Sequence, residues 1–216
     1  AIAAGNGSVW VAVGGGELVR IDPESGDEAE PPTTVAGGTL APYVRIDLGA
    51  GSVWHLSGNA QIARFDPGTG EAEQIGAEEF LLVFQDGLPT QLSDIAFGFG
   101  SLWLTNQAGN SVTEFDPGRD RVVNQVTVGG APIAIAVRAR TLWVANFGDD
   151  TVSRIEVPEL GSQQPRTVET FPVGDGPVDV AVDKTGVWVA NSLDRTVSRI
   201  DPESGDVVAT VDIGNE

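Results

Sequence analysis

Cysteine and methionine are absent from the 216 residues, and there is one histidine (His55) and one lysine (Lys184). Without cysteine there is no disulfide, no thiol nucleophile and no cysteine-based metal site. A single histidine cannot build a multi-histidine metal centre. Basic side chains are scarce: 12 Lys and Arg stand against 31 Asp and Glu, a net charge of −19. That balance repels phosphate backbones and anionic lipid, so neither nucleic acid nor a membrane surface is expected as a partner. The longest aliphatic-aromatic run, Phe80 to Phe84, falls far short of the ~20 residues a spanning helix needs. No signal peptide is visible and Ala1 is not a start residue, so the chain reads as a processed or excised stretch. No segment sustains a helical period.

What the chain has is repetition. Its five Trp residues fall at 10, 54, 103, 143 and 188, each inside a similar string: Gly7-Ser8-Val9-Trp10, Gly51-Ser52-Val53-Trp54, Gly100-Ser101-Leu102-Trp103, Thr141-Leu142-Trp143 and Gly186-Val187-Trp188. About ten residues later a second string follows, Arg20-Ile21-Asp22-Pro23, recurring as Arg64-Phe65-Asp66-Pro67, Glu114-Phe115-Asp116-Pro117, Arg154-Ile155-Glu156 and Arg199-Ile200-Asp201-Pro202. Periods of this length mark stacked repeat architectures. The units are approximately 1–43, 44–91, 92–132, 133–177 and 178–216, one domain with no linker.

Each unit predicts four short strands, A to D, punctuated by Gly, Pro, Asn and Asp turns. Strand B is apolar on both faces: Val9 and Val11 point one way, Trp10 and Ala12 the other. Such a strand must be covered on both sides, and a repeating four-stranded sheet achieves that by radial stacking. The predicted class is therefore all-β, a β-propeller of about five four-stranded blades, closed into a five-blade ring or forming part of a six- or seven-bladed one. Five-blade closure is the expectation, because an open stack leaves two apolar faces in water. Burying each Trp removes ~150–250 Å², worth about 4–6 kcal/mol gross per blade. The tryptophans are read as blade-to-blade packing rather than as a sugar-binding platform.

The strings Gly130-Ala131-Pro132-Ile133-Ala134-Ile135-Ala136, Leu142-Trp143-Val144-Ala145-Asn146 and Val197-Ser198-Arg199-Ile200-Asp201-Pro202-Glu203-Ser204-Gly205 resemble YVTN-type and streptogramin (virginiamycin B) lyase-like propeller repeats, kin to NHL repeats. The likeness covers the whole chain and is strongest in its last three units. It implies a propeller and says little about activity, since such repeats occur in a lyase, in secreted and surface-layer proteins and in sensor domains of membrane kinases. Streptogramin lyases use more than one His with a Glu and a divalent metal on the axial face; this sequence lacks the second His.

Strand direction sets the start of strand A and the end of strand B on one axial face. The position nine before each Trp holds Ala1, Arg45, Asp94, Ala134 and Asp179; the position three after holds Val13, Ser57, Asn106, Asn146 and Asn191. Arg45, Asp94, Asp179, Ser57 and the three Asn are candidate ligand-binding residues at an axial mouth. Each has a bland counterpart: Asn satisfying turn backbone, or an axial ion pair of Arg45 with the acids. His55 is a further candidate, set against a half-buried packing role. The Asp-Pro turns at 22, 66, 116 and 201 suit strand connection better than calcium. The recurring Arg residues are expected to pair with acids on a neighbouring strand or blade. Residues 29–43, 76–91 and 157–172 break the repeat; Phe80 to Phe84 is expected to be a displaced fourth strand of unit two.

The leading expectation is a non-catalytic binding or sensing scaffold outside the cytoplasm (extracellular, periplasmic or cell-surface). It would be monomeric and would take a small molecule or a partner's loop at the axial mouth. No cofactor is required, and a divalent cation is only a minor option. The alternatives are a lyase-like enzyme acting at that mouth and the sensor ectodomain of a membrane kinase.

Overall fold

The computed structural model describes residues 1–5, 7–13, 17–34, 45–57, 62–75, 91–159 and 166–214. It contains five four-stranded antiparallel sheets, each in simple sequence order. The first holds β1 (Ile2–Gly5), β2 (Ser8–Val13), β3 (Glu17–Ile21) and β4 (Glu28–Thr34). The second holds β5 (Arg45–Gly49), β6 (Ser52–Leu56), β7 (Ile62–Phe65) and β8 (Ala72–Ile75). The third holds β9 (Leu92–Gly98), β10 (Ser101–Asn106), β11 (Ser111–Asp116) and β12 (Arg121–Thr127). The fourth holds β13 (Pro132–Arg138), β14 (Thr141–Asn146), β15 (Thr151–Glu156) and β16 (Val168–Pro172). The fifth holds β17 (Pro177–Asp183), β18 (Gly186–Asn191), β19 (Thr196–Ile200) and β20 (Val207–Asp212). These are the blades of a β-propeller, and no helix occurs among the described residues. The fourth strand of blade two is Ala72–Ile75, upstream of the expected position; Phe80 to Phe84 lies outside the described residues.

Inner strands β1, β5, β9, β13 and β17 pack side by side in that order. The first hairpin of blades two and three turns on two residues with positive φ, Ala50-Gly51 and Phe99-Gly100. That is the backbone twist a tight hairpin prefers, and Gly takes the second position at no steric cost. The Asp-Pro turns are self-contained: Asp22 Oδ1 accepts from the amides of Glu24 (2.7 Å) and Ser25 (3.1 Å), and Asp201 Oδ1 repeats this with Glu203 and Ser204. Their carboxylates are used by the turn, which accounts for them without a metal.

Blades meet through one repeated interface. The Trp-bearing face of each blade packs on the aliphatic face of the next. Trp10 and Leu18 meet Ile46, Val53 and Phe65; Trp54 and Leu56 meet Ile95, Leu102 and Phe115; Trp103 and Val112 meet Leu142, Val144 and Ile155; Trp143 and Val152 meet Val180, Val187 and Ile200. Four indoles are 0–3% exposed, which places them as packing elements. Space for the next blade is made where the inner strand ends. A Cβ on Gly49 would stand 1.8 Å from the Phe97 ring, and one on Gly98 would stand 2.3 Å from Val137 Cγ1.

A guanidinium lies over each indole. Arg20, Arg64, Arg154 and Arg199 stand 5.5–5.9 Å from the rings of Trp10, Trp54, Trp143 and Trp188. Blade three has Glu114 instead, and Arg166 from the long connection between β15 and β16 reaches over Trp103 (5.5 Å) and ion-pairs with Glu114. The excursion in blade four thus restores the cation that the third repeat lacks.

Among the described residues, the first and fifth blades do not pack on each other as the other neighbouring blades do: β1 packs on β5, and β17 on β13 and β14. Ile2 is 70% exposed, and Trp188, alone of the five, is only half-buried.

Candidate functional site

The inner strands carry their side chains toward the axis at two levels. At the upper level stand Arg45, Asp94, Ala134 and Asp179. At the next stand Asp47 and, in the equivalent positions, Ala3, Ala96, Ala136 and Ala181. Alanines leave room, and a cleft of about 600 Å³ opens there, lined by Arg45, Asp47, Asp94 and Asp179 with Ala96 and Ala136.

The acids are held by backbone amides. Asp94 accepts from its neighbour Ile95 (3.0 Å) and from Ile135 of the next blade (3.0 Å). Asp47 does the same with Leu48 (2.8 Å) and Phe97 (2.6 Å). Each carboxyl therefore ties one inner strand to the following one. Arg45 Nε lies 3.2 Å from Asp94 Oδ1. Burial dominates the titration of Asp94 and lifts it to about 6; the Ile135 amide and the Arg45 guanidinium pull the other way, and the negative charge of Asp179 adds to the rise. Asp47 is raised by burial too, against the amides of Phe97 and Leu48.

The other candidates lie elsewhere. Asn106, Asn146 and Asn191 are buried to within 1% and do not line the cleft. Asn146 Nδ2 donates to Thr151 Oγ1 (3.0 Å) and Ser153 Oγ (2.9 Å), and Asn191 Nδ2 to Thr196 Oγ1 (3.0 Å) and Ser198 Oγ (2.8 Å). Asn106 Oδ1 accepts from the amides of Gln91 and Gly109. These amides lock the end of strand B to its neighbours. Ser57 follows β6 half-buried and away from the cleft lining. His55 is 6% exposed and lies on the aliphatic face of blade two, in register with Ile46 and Ala63, which pack against Trp10. Burial lowers its pKa, so the imidazole is neutral near pH 7. Its counterparts in later blades are Leu104, Val144 and Val189.

Asp47 is the cleft residue that sequence reasoning missed. The available signal was a single acid in a column otherwise made of alanine. Among the described residues no group of three or more His, Cys, Asp or Glu side chains is disposed to hold a metal ion.

Sequence comparison finds no matching family model and no matching curated protein. Structural similarity is broad. A streptogramin B lyase superposes with TM-score 0.76 at 17% identity, over 99% of this chain and 68% of that one. The Cps50 (Swd1) β-propeller domain of Myceliophteria thermophila superposes with TM-score 0.79 at 12% identity, over 100% and 73%. A functionally unknown protein from Desulfotomaculum acetoxidans gives 0.66 at 17%, over 94% and 66%. At these identities the likeness establishes the propeller fold and nothing finer.

Proposed function

We propose that the chain is a non-catalytic binding scaffold whose axial cleft takes a positively charged group, on a small molecule or on the tip of a partner's loop. The observation that carries this is the convergence of Arg45, Asp47, Asp94 and Asp179, from three blades, on one cleft of about 600 Å³. Three carboxyls against one guanidinium favour an ammonium or guanidinium ligand. The non-catalytic part is supported by the position of His55: the only imidazole is buried on the face toward the first blade and is not among the residues lining the cleft. Placement outside the cytoplasm belongs to the same proposal and rests on the resemblance to secreted and surface-layer repeats.

Calorimetric titration with agmatine and spermidine as probes tests the reading. Wild type and His55→Leu bind alike, and Asp179→Asn weakens binding at least tenfold. Failure of both probes to bind wild type, or unchanged affinity in Asp179→Asn, contradicts it.

A further inference from the structure

The two end faces of the stack are apolar and uncovered among the described residues. On blade five the Trp-bearing face presents Ala181, Trp188, Ala190, Val197 and Val211, all exposed or half-exposed. On blade one the aliphatic face presents Ile2, Val9, Val11, Val19 and Ile21, again none of them buried. At the inner junctions the corresponding positions are shut: Trp143, Ala145 and Val152 on one side, Ile135, Leu142 and Val144 on the other, each at most 6% exposed. Uncovered apolar sheet faces of this kind mark interfaces.

Polar groups at the same edge are also left half-used. Asp47 and Asp94 each spend their second carboxyl oxygen on an amide of the following blade. Asp179, the counterpart of Asp94 on blade five, accepts from its neighbour Val180 (2.9 Å), and no following strand stands beside it among the described residues. Arg64 and Arg154 reach carbonyls in the next blade's turn, Pro117 and Pro202. Arg199 folds back instead onto Thr185 of its own blade.

We infer that the space between blades five and one is filled by two further blades of this repeat, carried by the same polypeptide outside residues 1–216. Their leading face is aliphatic and covers Trp188. Their first inner strand offers an amide to Asp179, and their first outer turn offers carbonyls to Arg199. Their trailing face brings an indole to Val11 and Ile21. The number follows from the superpositions: five blades match essentially this whole chain but only 68% and 73% of two other propellers, so a complete circle holds about seven, and roughly 80–100 residues are needed. A second copy does not fit, because it brings five blades to a two-blade opening and leaves its own far face uncovered.

Cross-linking tests this, helped by the absence of native cysteine. At three junctions a Cβ on the residue five before a Trp would meet the residue six before the next Trp: Gly5 with Leu48, Gly49 with Phe97, Gly98 with Val137. The control is Gly98→Cys with Val137→Cys, where the added Cβ would lie 3.2 Å from Val137 Cβ. The test pair across the opening is Ala4→Cys with Asp183→Cys. In the 216-residue chain the control forms an intrachain disulfide on mild oxidation and the test pair does not. An intrachain disulfide in the test pair, at the control's yield and in a monomer by sedimentation, overturns the proposal, because five blades then close alone. A test-pair disulfide confined to dimers also overturns it, in favour of a second copy. The reading frame flanking these residues contains two more Trp strings at the same spacing; flanks without them overturn it as well.

Discussion

At the scale of single residues, the axial carboxyls are the most informative groups. Asp94 is raised to about 6 mainly by burial. The folded chain therefore holds this proton more tightly than the unfolded chain between about pH 4 and 6. The group's contribution to stability falls as pH rises through that window, by on the order of 3 kcal/mol, and the penalty stands in full above it. Carboxyl NMR titration separates the neighbours by sign: Arg45→Ala moves Asp94 further up, and Asp179→Asn moves it down. The Glu114–Arg166 pair makes a second prediction. Arg166→Ala strands a carboxylate that is 9% exposed and costs about 2–3 kcal/mol by denaturant unfolding; adding Glu114→Gln recovers part of the loss. Arg45, Asp94 and Asp179 were legible as an inward-facing set because each sits at one fixed distance from a periodic Trp. Asp47 was not, since its column is alanine in the other four repeats. The Asn residues were legible as strand ends, but sequence alone could not show that Asn146 and Asn191 turn inward to strand hydroxyls, and Asn106 to backbone amides, rather than to the mouth.

At the scale of the element, the inner strands end where the next blade crowds in. Gly98→Ala brings a methyl into Val137 and destabilises by about 1–3 kcal/mol. Gly5→Ala, whose nearest neighbour would be Leu48 Cδ2 at 3.5 Å, changes stability by no more than about 0.5 kcal/mol. Thermal and urea melts of the two variants make the comparison. Strand B was readable from its doubly apolar face, and the Asp-Pro turns from composition. Strand β8 was not: Ala72–Ile75 has three exposed residues and one buried, so its hydrophobic signal was weaker than that of the apolar run at Phe80 to Phe84.

At the scale of the molecule, the chain is a stack in which four of the five indoles stand between two sheets, and stability is nearly a sum over neighbouring blades. The repeat period gave the five blades; it could not give the angle between them, which depends on the bulk of the side chains at every junction. Among the described residues the stack runs round the axis without packing its first blade on its fifth, and its acidic cleft is built from the inner edges of four blades. In denaturant melts, Trp143→Ala costs about 3–5 kcal/mol, whereas Trp188→Ala, facing the opening, costs less than half as much. The most direct measurement is ¹⁹F NMR of the 5-fluorotryptophan-labelled chain, with Trp188 assigned through Trp188→Phe. The account predicts five resonances, four insensitive to exchange of H₂O for D₂O and one, Trp188, that shifts. Equal sensitivity of all five, or a shielded Trp188 in a monomeric chain, would contradict it.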